Sequence, residues 1–413
     1  VTRPRALAAA AAGLALAGCV QDRPGITGTQ SIKVALVDPA DPGDVTHRLP
    51  DTARATVKLD VTAYDADGQV DPSFDRKVQI YVQFLGTLTP TPDFTSLTHP
   101  VEAPPQTITM VAGKAVNQVV TLPPQVLGPT TLWIDDAKTA GVGPTYATGT
   151  SPVLWFRDPT IQDLQRPPSE TKLNALESSP LQNKQISVNA SRHGAVGRLI
   201  VTSVFAQGYT VSDMKCADAA GTPPCTAAAY DHIEVFSFSA PRDQRGELLR
   251  QGQAIDGFSG GVSEFNGLTE IGFPVTFATS DAIVAGREPA PVKLDPATWF
   301  KPLSDPDGII NFERNEAAPI EIDDGAVCDL DPDYDEFGQW KLDPTGTGGD
   351  CSKIGNLINV ITTGVVSGLD RATLMALSGK KLSRVVGVLR PVVVGSFHVW
   401  IIFPRSAADL TLP

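Results

Sequence analysis

From Ser31 onward, apolar residues recur mostly at every second position, in short runs that end at Pro, Gly, Asp or Asn. The period of two belongs to β-strands with one buried face. It is clearest in Thr56-Val57-Lys58-Leu59-Asp60-Val61-Thr62, where Val57, Leu59 and Val61 share one face and the turn Asp65-Ala66-Asp67-Gly68 follows. Six further runs, SIKVALV, KVQIYVQFLG, QTITMVAG, AVNQVVTLP, TTLWIDD and SPVLWFRD, complete a set predicting a two-sheet sandwich over residues 31–158. The stretch 159–180 carries a Pro pair, charges and Ser, and is predicted to be a linker or short helix between domains.

A second strand-rich region is expected over 181–302 and a third over 303–413. In the second, Asn266-Gly267 between two strands is a strong hairpin signal. In the third, GQWKLD and LINVITTGVV precede a short helix, LDRATLMAL, and a long closing pair. Gly252 to Pro274 and Gly379 to Pro404 can be laid side by side: each starts at Gly, runs through a strand with a central Gly, turns at Gly267 or Gly395, and ends Phe-Pro. A repeat of this kind argues for one shared architecture.

The strands, the interposed helix and the glycine-kinked closing pair resemble the oligomer-binding barrel, a five-stranded Greek-key closure. That resemblance implies a small β-barrel in each of the two C-terminal regions. VTAYDADG, VTLP and TTLWIDD resemble bacterial immunoglobulin-like modules of surface proteins, without the Cys…Trp…Cys core of the antibody domain. The expected fold class is therefore all-β: an N-terminal Ig-like β-sandwich followed by two OB-like β-barrel domains.

The N-terminus differs from all of this. Arg3 and Arg5 precede an unbroken small apolar run from Ala6, which ends in Leu16-Ala17-Gly18-Cys19. A basic start followed by a short apolar stretch has the layout of an export signal, too short to span roughly 30 Å of hydrocarbon. Leu16-Ala17-Gly18-Cys19 resembles the lipobox of bacterial lipoproteins. The resemblance implies that residues 1–18 are removed, that Cys19 bears the lipid, and that 19–30 form a tether. With Val20 in place of the Asp that signals inner-membrane retention, the outer membrane is favoured where the cell has two.

Composition narrows the partners. Lys+Arg 33 against Asp+Glu 46 gives a net charge of −13, which disfavours nucleic acid. Beyond the lipobox cysteine, four remain: Cys216, Cys225, Cys328 and Cys351. An even number in an exported chain suggests disulfides, and proximity favours Cys216 with Cys225 and Cys328 with Cys351, although three pairings are open.

Sites with chemistry are few. Gly257-Phe258-Ser259-Gly260-Gly261 fits G-x-S-x-G, but a strand follows where a nucleophile elbow needs a helix, so its glycines read as barrel bends. His47, His99, His193, His232 and His398 show no ligand spacing. Asp329, Asp331 and Asp333 stand at positions one, three and five of a calcium loop, a weak calcium candidate. Tyr334 replaces the turn Gly and Trp340 the bidentate Glu, so a solvated acidic loop is the favoured reading. No other cofactor is expected. Tyr209, Tyr230, Phe265, Tyr334, Trp340 and Trp400 are aromatics that a barrel could expose for stacking, with a basic cluster of Lys380, Lys381, Arg384, Arg390 and Arg405.

The preferred expectation is a non-catalytic, lipid-anchored cell-envelope protein that binds another envelope protein or a glycan. Two rivals stay open: an exported hydrolase or nuclease with a site assembled from distant residues, and a binder of oligosaccharide or oligonucleotide through the barrels.

Overall fold

The computed structural model describes residues 28–50, 54–84, 86–87, 106–123, 126–136, 147–167, 170, 178–216, 225–283, 287–300, 306–348, 351–352, 356–394 and 397–413. Residues 1–27, with the expected export signal and Cys19, lie outside the described residues.

The first region is built from strands β1 (Ser31–Asp38), β2 (Thr56–Tyr64), β3 (Lys77–Phe84), β4 (Gly86–Thr87), β5 (Gln106–Thr109), β6 (Lys114–Thr121), β7 (Pro129–Asp135), β8 (Thr148–Thr150) and β9 (Leu154–Trp155). One sheet has the order β1-β2-β6 and the other β5-β3-β7-β8, with β9 also on β7. The alternation read from the sequence is the packing: Val57, Leu59 and Val61 from one sheet share a core with Ile80, Val82, Leu132 and Ile134 from the other. β4 leaves this unit and pairs with β10 (Lys184–Val188) of the next.

Within the stretch expected as a linker or short helix stands a helix of five residues. In α1 (Ile161–Gln165), Asp163 accepts the Thr160 amide at 2.8 Å, which satisfies one orphan donor of the first turn. Ile161 and Leu164 are buried in the same core that the sandwich shares with the following strands.

The second region comprises β10, β11 (Gly197–Phe205), β12 (Gly208–Cys216), β13 (Cys225–Thr226), β14 (His232–Phe236), β15 (Ala254–Ile255), β16 (Gly257–Phe265) and β17 (Leu268–Phe277). β11-β12-β14-β17-β16 are neighbours in that order, and β14 and β17 run parallel. The sheet comes round because two of its strands are split. β10 pairs β16, whereas β11 pairs β15, the short segment just before β16. An irregular segment, 237–253, links β14 to β15.

The third region holds β18 (Val292–Lys293), α2 (Pro296–Trp299), α3 (Pro306–Glu313), β19 (Pro319–Val327), α4 (Pro332–Phe337), β20 (Gln339–Asp343), β21 (Ile358–Ile361), α5 (Arg371–Leu377), β22 (Lys381–Val394), β23 (Phe397–Phe403) and β24 (Leu410–Thr411). Here the closure is complete: β19-β20-β21-β23-β22 with β22 returning to β19, a closed five-strand barrel. The predicted helix is α5, capped by the Asp370 side chain on the Thr373 amide. The all-β expectation with barrel domains is met.

The glycine repeat has a physical cause. At Gly260 an added Cβ would lie 2.5 Å from Ile271 Cγ2 and 2.7 Å from the Gly272 carbonyl oxygen. At Gly387, eight residues after Gly379 as Gly260 is after Gly252, it would lie 2.3 Å from Ile402 Cγ2 and 2.6 Å from the Phe403 carbonyl carbon. Both positions sit where the fourth strand bends across the fifth, and only a residue without a side chain lets the backbones come that close. Gly387→Ala is expected to cost about 2 kcal/mol by overpacking, whereas Gly272→Ala, whose nearest neighbour would be at 3.8 Å, should be near neutral. Urea midpoints of the two variants measure the difference, and equal midpoints would contradict the account.

Candidate functional site

In the first barrel, Val211, Ile233 and Val235 point into the core. The alternate residues therefore point outward: Thr210 and Ser212 on β12, His232 and Glu234 on β14, with Glu270 on β17. Each is buried all the same. The cover is α1 and the second barrel. Gln165 Nε2 donates to the His232 carbonyl at 2.8 Å, and Arg390 of β22 donates to Glu234 Oε1 at 2.7 Å. At the far edge Arg405 donates to the Thr202 carbonyl at 3.1 Å. This buried polar face is the most unusual chemistry of the described residues.

At one end of that face, two of the five histidines converge. The segment between β10 and β11 carries Ser191, Arg192 and His193 over the ends of β12 and β14. Ser191 Oγ donates to Asp213 Oδ1, and the Arg192 amide donates to Asp213 Oδ2 at 2.9 Å. The Arg192 guanidinium takes both oxygens of Asp231, at 2.7 and 2.9 Å, and the Ala228 amide adds a third bond. His193 Nε2 lies 3.7 Å from Asp231 Oδ2. Burial, with Asp231 nearby, raises the Asp213 pKa. Next to it, Ser212 Oγ and His232 Nδ1 are 2.6 Å apart, and full burial holds the His232 imidazole down at about 4, so it is neutral at physiological pH.

Ser, His and Asp thus meet, but not as a charge-relay set. The Ser191 hydroxyl is given to a carboxylate, not to an imidazole that could take its proton, and the Ser212 hydroxyl, which does meet the His232 imidazole, is fully buried together with that ring. The Asp231 carboxylate is engaged by a bidentate arginine and a backbone amide. These bonds form a clasp that pins the segment splitting the first strand.

The other end is acidic. Glu234 and Glu270 are directly opposite each other on the parallel pair β14 and β17. Glu264 on β16 accepts from the Ser179 amide at 2.7 Å and from Thr269 Oγ1 at 2.8 Å. Glu316, just ahead of β19, accepts the Thr269 amide at 2.9 Å and so bridges the two barrels. Burial pushes the Glu234 carboxyl up to about 7, against the pull of Arg390, and burial also raises Glu264 and Glu270. Glu316 is driven well above the usual range by burial and by Glu313 and Glu264.

The acidic loop holds its aspartates otherwise than a calcium loop would. Asp331 caps α4 through the Asp333 amide, and both Asp331 and Asp333 pair with the Lys341 ammonium. Asp329 accepts from Ser378 Oγ. A helix and a lysine occupy the positions at which the spacing would have wrapped a cation. Among the described residues no three His, Cys, Asp or Glu side chains are placed to hold a metal ion. Gly257–Gly261 lies within β16, so Ser259 is on a strand and not at an elbow.

Both expected disulfides are present, Cys216–Cys225 and Cys328–Cys351. They fit an oxidising, extracytoplasmic compartment. No helix among the described residues is long and apolar enough to cross a membrane. Of the aromatic candidates, Tyr209, Tyr230 and Trp340 are core residues, and Tyr334 and Trp400 pack against the core of the second barrel. Phe265 is exposed at the tip of the β16–β17 hairpin. His99 and the side chain of His398 lie outside the described residues, and His47 is in an exposed turn.

The prominent surface aromatics are ones the sequence did not mark. Phe238 is 54% and Phe273 78% exposed, and their rings lie 4.9 Å apart; Phe236 meets Phe238 edge-on at 4.5 Å. Phe238 has φ +59° and Phe273 φ +50°. Such a backbone is uncommon for a bulky residue and costs of the order of 1 kcal/mol. Exposed Val275 extends the patch along β17. No local signal marks these positions, since Phe-Pro at 273–274 reads as the apolar end of a strand.

No protein-family model matches the chain, and no curated protein matches its sequence.

The clasp makes a stability prediction. Arg192→Met removes the bidentate partner of the buried Asp231 carboxylate and is expected to cost about 3 kcal/mol, with part of the loss recovered by adding Asp231→Asn. Denaturant titration of the single and double variants checks it; full stability in Arg192→Met would show that the pair holds nothing.

Proposed function

We propose that the protein is a non-catalytic lipoprotein of the cell envelope, tethered through Cys19, that binds an apolar segment of another envelope protein. An Ig-like sandwich next to the tether acts as spacer, and the barrels form the head. The outer membrane is its place if the cell has two. The observation that carries the reading is the Phe236–Phe238–Phe273 patch. Strained backbone holds two phenylalanines in solvent, where folding gains nothing from them, and strain of that kind is retained where contact with a partner uses it.

The occupant follows from charge. Residues 236–240 and 272–277 contain no ionisable side chain, so nothing in the patch attracts phosphate, and the net charge of −13 repels nucleic acid and anionic lipid alike. A glycan would need hydrogen-bonding groups beside the rings, and the patch supplies chiefly Ser237 and Ser239. The outer polar face, which a barrel of this kind could offer to an oligomer, is covered by the second barrel. The exported hydrolase finds less support because, among the described residues, the Ser191, Asp213 and Asp231 side chains are engaged in structural bonds and the Ser212–His232 pair is buried.

Two measurements test the reading. Labelled palmitate should enter the full-length chain and be lost in Cys19→Ala; no incorporation removes the anchor. A photo-crosslinking residue at position 273 should give a discrete adduct in intact envelopes that Phe238→Asn abolishes, while the same residue at exposed Met375 gives none. Because Asn tolerates positive φ, Phe238→Asn should leave thermal stability unchanged or raised. Indistinguishable adducts from positions 273 and 375 would remove the docking surface.

A further inference from the structure

The seam between the barrels has the wrong charge balance for a permanent interface. On the side of the first barrel it presents Glu234, Glu270 and Glu264, and on the side of the second Glu313 and Glu316. Arg390 is the cation that answers the first two. Its guanidinium lies over the rings of Phe205 and Phe403, at 5.7 and 5.2 Å, and reaches only one oxygen of Glu234. Glu234 Oε2 is buried without a hydrogen-bond partner, and so is Glu316 Oε2. From α1 comes the neutral Gln165, which bonds Glu316 and the His232 carbonyl. Arg314, beside Tyr230, is held by Glu170 at 2.7 Å.

Like charges directly across neighbouring strands repel, and an ionised carboxylate with an unpaired oxygen is costly away from water. Protonation relieves both. Each neutral carboxyl also acquires an O–H that can be donated within the cluster.

We propose that this seam is a proton-controlled joint: carboxyls shared between the barrels hold it shut when protonated, and their ionisation releases the second barrel from the outer polar face of the first. The inference does not rest on the partner reading, since it concerns a different surface.

The sign follows from linkage. The carboxyls hold protons more tightly in the closed seam than in water, so rising pH favours the open form. The closed form is strongest below the ordinary glutamate range and is weakened progressively through about pH 7, where Glu234 ionises. His232 works in the opposite sense. Its imidazole stays neutral while buried and would take up a proton on exposure below about pH 6.5. Above that value it is neutral in both forms, and the glutamates act alone.

Two amides report the joint directly, because each donates across it: Thr269 to Glu316, and Tyr230 to the Arg314 carbonyl. After correction for intrinsic exchange rates, hydrogen exchange of the full chain should show their protection falling by on the order of tenfold between pH 6.5 and 8.5. Amides within the β11–β12 pairing should hold theirs. Glu234→Gln, and Glu234→Gln with Glu270→Gln, mimic the protonated seam and should progressively flatten the dependence. The wild-type measurement stands even if a variant fails to fold. Protection that does not change with pH overturns the joint, as does a loss shared equally by β11 and β12, or a dependence that survives both substitutions.

Discussion

The structure turns on the burial of a polar sheet face. The outward residues of β12 and β14 would suit solvent in an isolated barrel, yet α1 and the second barrel cover them, with Arg390 bonded to the buried Glu234. A seam of this kind contributes little hydrophobic free energy. Its bonds are directional, so it fixes how the barrels meet more than how strongly. The deep cores lie elsewhere: one continuous from the sandwich through α1 into the first barrel, and one inside the second.

The two barrels solve one closure problem in two ways. In both, the third and fifth strands run parallel and the fourth bends at a glycine that allows backbone crossing. The second closes directly, through the long β22 on β19. The first interrupts its opening strand, and the interruption is what brings Ser191, Arg192 and His193 over Asp213 and Asp231. A cluster that resembles a reaction site by composition therefore has its side chains bonded as a clasp on an inserted segment. The disposition of each proton and each oxygen, not the residue types, separates the two cases.

Several features were legible because they are local. The hairpin at Asn266-Gly267, the helix after Asp370, and the pairing of each cysteine with its nearer neighbour depend on residues close in sequence. Other readings failed for the converse reason. β19 has a weak sequence signal because Asp323-Asp324-Gly325 interrupts it, although Ile320 and Ile322 alternate inward beside Glu321 and Asp323. Trp340, one of the rings a barrel could have exposed for stacking, is buried with its indole N–H on Thr362 Oγ1 at 3.2 Å. Phe238 and Phe273 carry no mark in the sequence because a phenylalanine beside or in a strand is usually core, and only their backbone angles and exposure set them apart. Asp331 and Asp333 matched a metal-loop spacing, but the spacing carries no information about Lys341, which reaches them in space.

The amino-acid sequence by itself determined the all-β class, the strand-and-turn rhythm, the repeated glycine bend and the disulfide framework. Each follows from side-chain alternation, backbone permissiveness or short chain separation. Only the tertiary structure decided which polar faces are wet. Whether Glu234 is a solvated surface acid or a buried group shared between barrels depends on Arg390, far along the chain, and no local pattern encodes that meeting. Desolvation is a property of the assembled volume, and it turns an ordinary glutamate into a proton-binding one.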